Sequence, residues 1–62
     1  MTMNLKTKAR IHSLNGQLDD VEIIEQRGDN DYIALYKGSR CTAIFNYFVS
    51  CFYVDDIYGK LD

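Results

Sequence analysis

In the segment from Leu5 to Leu14 every second residue from Lys6 to His12 is basic. Lys6, Lys8, Arg10 and His12 fall on one side of an extended chain, and Leu5, Thr7, Ala9, Ile11 and Ser13 on the other. A period of two marks a strand with one face turned inward. Leu18 to Gln26 repeats it, with Val21 and Ile23 on one face and Asp20, Glu22, Ile24 and Gln26 on the other. Turn signals follow at intervals of about ten residues: "LNGQ" at 14–17, "RGDND" at 27–31 and "KGSR" at 37–40. They bound a third strand over Tyr32 to Lys37, a fourth over Cys41 to Phe45 and a fifth from about Cys51 to Tyr58, with "NYFVS" as the loop before the last. That rhythm predicts an antiparallel meander.

Pairing the first two strands tests the turn between them. A two-residue "NG" loop sets Leu14 opposite Gln17, which puts Arg10 against Val21 and Lys8 against Ile23. A three-residue loop moves the register by one. Arg10 then faces Asp20 or Glu22, and Ala9 faces Val21 or Ile23, so charge meets opposite charge and apolar meets apolar. A one-residue slip exchanges the faces of a strand, which makes this difference decisive. The sequence therefore predicts the three-residue loop, with Gly16 in the left-handed region.

"CTAIFNYFVSCFYV", Cys41 to Val54, holds fourteen residues without a charge. Ile44, Phe48, Cys51 and Phe52 fall at helical spacing. Against a helix, nine of the fourteen are Thr, Ile, Val, Phe or Tyr, which favour strands. No capping box precedes the run, and it contains no Leu, Glu, Lys or Gln. It is also short of the roughly 20 residues a spanning helix needs. As two strands it is apolar on both faces: Cys41, Ala43 and Phe45 against Ile44, then Phe52 and Val54 against Tyr53 and Ile57. A flat small sheet covers only one face. Either the sheet curls until both faces find cover, or another chain buries one of them. Ile24, on the polar face of the second strand, points the same way. The fold expected is a single all-β domain over residues 1–62: about five antiparallel strands in a meander, strongly curled, with an SH3-like small barrel as one form of it.

Composition narrows the partners. A chain of 62 residues buries only about 60% of its unfolded surface, and small domains often gain stability from a disulfide, a metal or a second subunit. With 47% hydrophobic and 26% charged residues it is a folding, soluble composition. A formal charge of −2 gives no bulk attraction to nucleic acid or anionic lipid. "MTMNLKTKAR" carries no apolar core of the signal-peptide kind, so a cytoplasmic protein without membrane contact is expected. Placing Cys41 opposite Cys51 would require "FNY" as the loop, with an aromatic at each side of the turn. A loop nearer Asn46 to Ser50 offsets the two, and free thiols are expected.

Candidate chemistry is sparse. "YVDD", Tyr53 to Asp56, has the form of the YxDD signature of reverse transcriptases, whose carboxylates bind catalytic metals. Four residues carry little specificity, such a polymerase needs a palm several times this length, and adjacent aspartates in a regular strand point to opposite faces. The expectation is one exposed aspartate and one capping a turn or pairing with lysine. His12, the sole histidine, is the only residue on which a Ser-His-Asp or Cys-His arrangement could be built. Its place at the end of the basic stripe suits an exposed ring paired with Asp19 or Asp20. Cys41, Cys51 and His12 lack the tight spacing of a zinc site, and "DND" at 29–31 reads as a turn. No catalysis, cofactor, metal or small-molecule substrate is expected.

Two binding surfaces remain. Lys6, Lys8, Arg10 and His12 could lie along a phosphate backbone while aromatic residues stack on bases. Asp20 and Glu22 partly match that stripe, and lysines also protect an exposed strand. Among the aromatics Tyr32, Tyr36, Tyr47, Phe48 and Tyr53, two lie in the loop before the fifth strand, where burial is hard to arrange. Tyr and Phe are enriched at protein interfaces. Ile24, Tyr47, Phe48, Tyr53 and Ile57 are the candidate interface with a protein partner or a second copy of the chain.

The phrases "CTAIFN" and "YVDDIYG" make the C-terminal half resemble small uncharacterised reading frames carried on mobile elements and phages of Firmicutes. The resemblance implies no catalytic residues. It implies an accessory protein of a mobile element that binds a host or element protein, inhibition of a host defence system being one such role.

Overall fold

A computed structural model describes residues 2–62, with side chains from Asn4 onward. Its elements are β1 (Thr2–Ile11), one turn of 3-10 helix (His12–Leu14), β2 (Gln17–Gln26), β3 (Asp31–Tyr36), β4 (Ser39–Asn46) and β5 (Cys51–Lys60). Each strand pairs antiparallel with the next, and β5 returns to β1 to close a barrel. The all-β, strongly curled meander is therefore the fold. The seam is parallel and short: Ala9, Arg10 and Ile11 face Phe52, Tyr53 and Val54. Strands that alternate in direction leave the first and fifth pointing the same way, so a five-stranded meander can close only through a parallel pair.

The β1–β2 connection corrects the expected register. Ile11 faces Gln17, so residues 12–16 turn the chain instead of three. Arg10 meets Leu18, not Asp20 or Glu22, and Ala9 meets Asp19 instead of Val21 or Ile23. The slip is by an even number of residues, so both faces are kept. Lys8 stands opposite Asp20 and Lys6 opposite Glu22. What lengthens the loop is the helical turn. The Asn15 N–H donates to His12 O at 3.1 Å and the Gly16 N–H to Ile11 O at 3.0 Å. Leu14 thereby packs against the core. Gly16 does take a left-handed φ of 84°.

The uncharged run does form two strands, joined by a turn over Tyr47–Ser50. Asn46 faces Cys51 at the tip, while Cys41 faces Lys60 at the far end. The cysteines are offset and both are free thiols.

Inside the barrel lie Ala9, Ile11, Val21, Ile23, Ala34, Tyr36, Cys41, Ala43 and Val54. The largest wholly buried side chains are Ile11, Ile23, Val54 and Cys41. A ring of so few strands encloses little width, which selects aliphatic residues over rings. Each buried isoleucine contributes roughly 1.5–3 kcal/mol. Aromatic rings gather at the end of the barrel nearest the β4–β5 turn. Tyr32 and Phe45 both meet the ring of Phe52 edge to face, at 5.1 and 4.9 Å. Tyr36 is the ring kept inside, and its hydroxyl donates to Asp19 Oδ2 at 2.8 Å.

Three strands carry irregularities, the first in β1 between Thr2 and Leu5. In β2, Ile23 faces Ala34 and Glu25 faces Ile33, which leaves Ile24 as an extra, half-buried residue. In β5, Asp55 faces Thr42 but the next pair is Lys60 with Cys41, so residues 56–59 bulge out. Gly59 is required there: a Cβ on it would stand 2.8 Å from the Asp55 carbonyl oxygen.

Candidate protein interface

The β4–β5 hairpin builds the most exposed apolar surface. Alternation sends Cys41, Ala43 and Val54 inward, so Ile44 and Tyr53, which face each other across the ladder, look out. At the turn no interior is left to receive a side chain. Exposure rises from Tyr53 (39%) and Ile44 (41%) through Val49 (53%) and Tyr47 (65%) to Phe48 (100%). An open groove of about 310 Å³ is lined by Asn30, Ile44, Phe45, Asn46, Tyr47, Phe48 and Tyr53, with no charged residue among them.

Hydrogen bonds hold the backbone of the tip. The Phe48 N–H donates to Asn46 Oδ1 at 2.9 Å, and the Tyr47 hydroxyl to Asp29 O at 3.1 Å. Tyr47 packs edge to face on Phe45 at 5.0 Å. The Phe45 N–H donates to Asn30 O at 2.9 Å, tying the hairpin to the β2–β3 loop. Ser50 takes a left-handed φ of 52° to bring the chain back. The Tyr47 ring, held at its hydroxyl and against Phe45, loses little freedom on contact with a partner.

Of the five residues the sequence singled out, Tyr47, Phe48 and Tyr53 lie together around that groove. Ile24 and Ile57 do not join them. Ile24 is the extra residue of the β2 bulge, two strands from β4. Ile57 lies in the β5 bulge, towards the opposite end of the hairpin, beside the exposed Tyr58. Ile44 and Val49 complete the surface. Alternation through β4 could have supplied Ile44; Val49 was hidden in a loop whose side-chain directions the sequence does not encode.

The basic stripe has a different setting. Lys8 Nζ lies 3.0 Å from Asp20 Oδ1, and Lys6 stands opposite Glu22. Arg10 donates to the Gly16 carbonyl at 2.9 Å and sits beside Tyr53 across the seam. His12 leaves the strand for the helical turn, so the four side chains do not form one line. Its ring meets Tyr58 at 5.9 Å, not Asp19 or Asp20. Arg10, His12, Thr42, Ile44, Tyr53 and Asp55 border an open depression of about 520 Å³ over the seam.

The adjacent aspartates serve the backbone. Asp55 accepts from the N–H groups of Ile57 at 3.1 Å and Tyr58 at 2.9 Å, capping the bulge. Asp56 accepts from both the N–H and the hydroxyl of Ser13 and pins the helical turn. Partial burial works to raise both carboxyls, but these hydrogen bonds and the nearby His12 hold both below the ordinary carboxylate value. Neither is fully exposed, in contrast to the expectation for one of them. Burial pushes the Cys41 thiol up, away from the thiolate. Among the described residues no group of three or more His, Cys, Asp or Glu side chains is arranged to hold a metal ion, and no helix is long and apolar enough to cross a membrane.

No family model matches the chain, and no curated protein or solved structure matches it.

Proposed function

We propose that this chain is a non-enzymatic protein-binding module that works through the outer face and tip of the β4–β5 hairpin. One observation carries the reading: a wholly exposed Phe48, on a turn whose backbone is hydrogen-bonded, is flanked by Tyr47 and Val49 and borders an uncharged groove. Aromatic residues in desolvated pockets dominate binding energy at protein interfaces. The resemblance to reading frames of mobile elements suggests a setting in the cytoplasm. There the module would act on a host or element protein, an inhibitor of host defence being one form of that role.

A second reading, a nucleic-acid binder, draws on the pairing of Arg10 with Tyr53 beside the seam depression, a cation next to a stacking ring. The acidic partners of Lys6 and Lys8 count against it. Affinity capture with the wild type, Phe48→Glu and the triple variant Lys6→Glu/Lys8→Glu/Arg10→Glu separates the two. The module predicts a defined protein partner retained by the triple variant and lost with Phe48→Glu. Loss of nucleic acid with the triple variant alone, at an affinity falling steeply with salt, would instead establish the second reading.

A further inference from the structure

We infer that the surface around Phe48 pairs with a second copy of this chain across a two-fold axis near Ile44 and Tyr53; this rests on the protein-binding reading and names its partner. The first argument is shape. The same patch carries a knob, the ring of Phe48, and a groove of about 310 Å³ beside Ile44 and Tyr53. A two-fold contact needs one patch to complement itself, and a knob next to a hole meets that condition. Rotation about an axis between them sets each Phe48 into the groove of the other copy.

The second argument is charge. The chain carries −2, so two copies repel weakly over most contacts. Residues 41–54 are the one long stretch without a charge, and the groove is rimmed by the amides Asn30 and Asn46. The groove side of the face brings no like-charged pair to such a contact, and the two charged residues bordering Ile44 and Tyr53 on the other side, Arg10 and Asp55, are opposite in sign. A strongly charged partner would find nothing here to match it.

The third is area. Ile44, Tyr47, Phe48, Val49 and Tyr53 together bare on the order of 600 Å², taking ~150–250 Å² for a full aromatic side chain. That is at the upper end of the largest patch found on single-chain proteins, roughly 300–600 Å². It approaches the ~800 Å² each partner contributes to a standard interface. The interior of this barrel is built of small side chains, so a shared aromatic layer would add apolar burial that one copy lacks.

The test is the solution mass of the full chain by light scattering over a hundredfold concentration range, with amide NMR spectra recorded alongside. The expected result is a species of twice 7.2 kDa at the upper end, with shifts that move with concentration at Ile44, Tyr53 and 47–50. Phe48→Glu should weaken association by at least about tenfold while keeping the dispersed spectrum of the fold. Ile44→Lys should act likewise, which guards against a defect peculiar to one variant. A wild type that stays at monomer mass throughout overturns the inference. So does a dimer indifferent to both variants. Should the monomer result coincide with a protein partner lost on Phe48→Glu, the self-pairing alone fails; should Phe48→Glu affect no partner either, the protein-binding reading fails with it.

Discussion

The two hairpins that meet at the barrel seam have similar interiors and opposite exteriors. In β1–β2 the inward side chains are Ala9, Ile11, Val21 and Ile23, and in β4–β5 they are Cys41, Ala43 and Val54. Outside, the first hairpin sets Lys8 against Asp20 and Lys6 against Glu22. The second sets Ile44 against Tyr53 and ends in a bare Phe48. Closing the barrel requires only the inner pattern. The outer one is free to vary, and on β4–β5 it has been left apolar at a cost in solubility that the fold does not demand. That contrast is the physical ground for assigning contact to one hairpin and solvation to the other.

The largest effect is expected where the hairpins share their core. Ile23→Ala should destabilise the domain by about 3 kcal/mol in urea unfolding, from lost burial and the cavity left behind. A change below about 1 kcal/mol would mean the interior is not packed as described. Gly59→Ala comes next, at about 1–3 kcal/mol, because its methyl would press on Asp55 O and on the Cβ atoms of Asp55 and Thr42. It would show that the β5 bulge is fixed by backbone contact and not merely tolerated.

The response to pH divides between acid and alkali. Asp19 is held below its ordinary value first by the Tyr36 hydroxyl, then by the Asp20 N–H. With Asp55 and Asp56 it is lowered from 3.8, so what these carboxylates contribute is present above about pH 4 and lost as pH falls through their lower folded values. Tyr36 runs the other way. Its hydrogen bond to Asp19 and its burial raise it from 10.0 to about 12, so its contribution holds below pH 10 and is lost as pH rises towards 12. Unfolding followed from pH 8 to 12 should show that loss in the wild type and not in Tyr36→Phe.

Two smaller effects sharpen the contrast outside the barrel. Lys8→Ala breaks an ion pair whose partners are both mostly exposed, and should cost no more than about 0.5 kcal/mol. Phe48→Glu, measured at dilution where the chain is monomeric, should leave stability within about 0.5 kcal/mol of wild type, since a wholly exposed ring contributes no burial. A large loss from Phe48→Glu would place that ring in the fold of a single chain and remove it from any interface.

Alternation made β1 and β2 legible, and β-branched and aromatic residues made β4 and β5 legible. Polar glycine turns marked the ends. What escaped the sequence was whatever depends on contacts distant along the chain. Loops differing by two residues keep the same faces, so pairing charges could not distinguish Lys8–Asp20 from Arg10–Asp20. The lengthened turn depends on Asp56, 43 residues beyond Ser13. The β5 bulge depends on a carboxylate folding back on its own backbone, which the pattern "YVDD" does not announce. On the candidate surface, Tyr47, Phe48 and Tyr53 could be named because aromatic residues are conspicuous in a loop and on a strand already apolar on its other face. Ile24 and Ile57 were drawn in by face counting alone, and a bulge beside each spoils that count.

The short parallel seam bears on how the chain reaches this state. Four of the strand pairings join neighbours in sequence, and each can form as a local hairpin. The fifth unites Ala9–Ile11 with Phe52–Val54 and must close a loop of some forty residues to gain three pairs. Long-range closure with so small a return is expected late on the folding route and slows it, toward the millisecond-to-second range of barrels rich in distant contacts. Run in reverse, the seam is where the native ring should first come apart. Amide exchange at Arg10 and Tyr53 should then outpace exchange in the middle of β3, whose two neighbours both lie close along the chain.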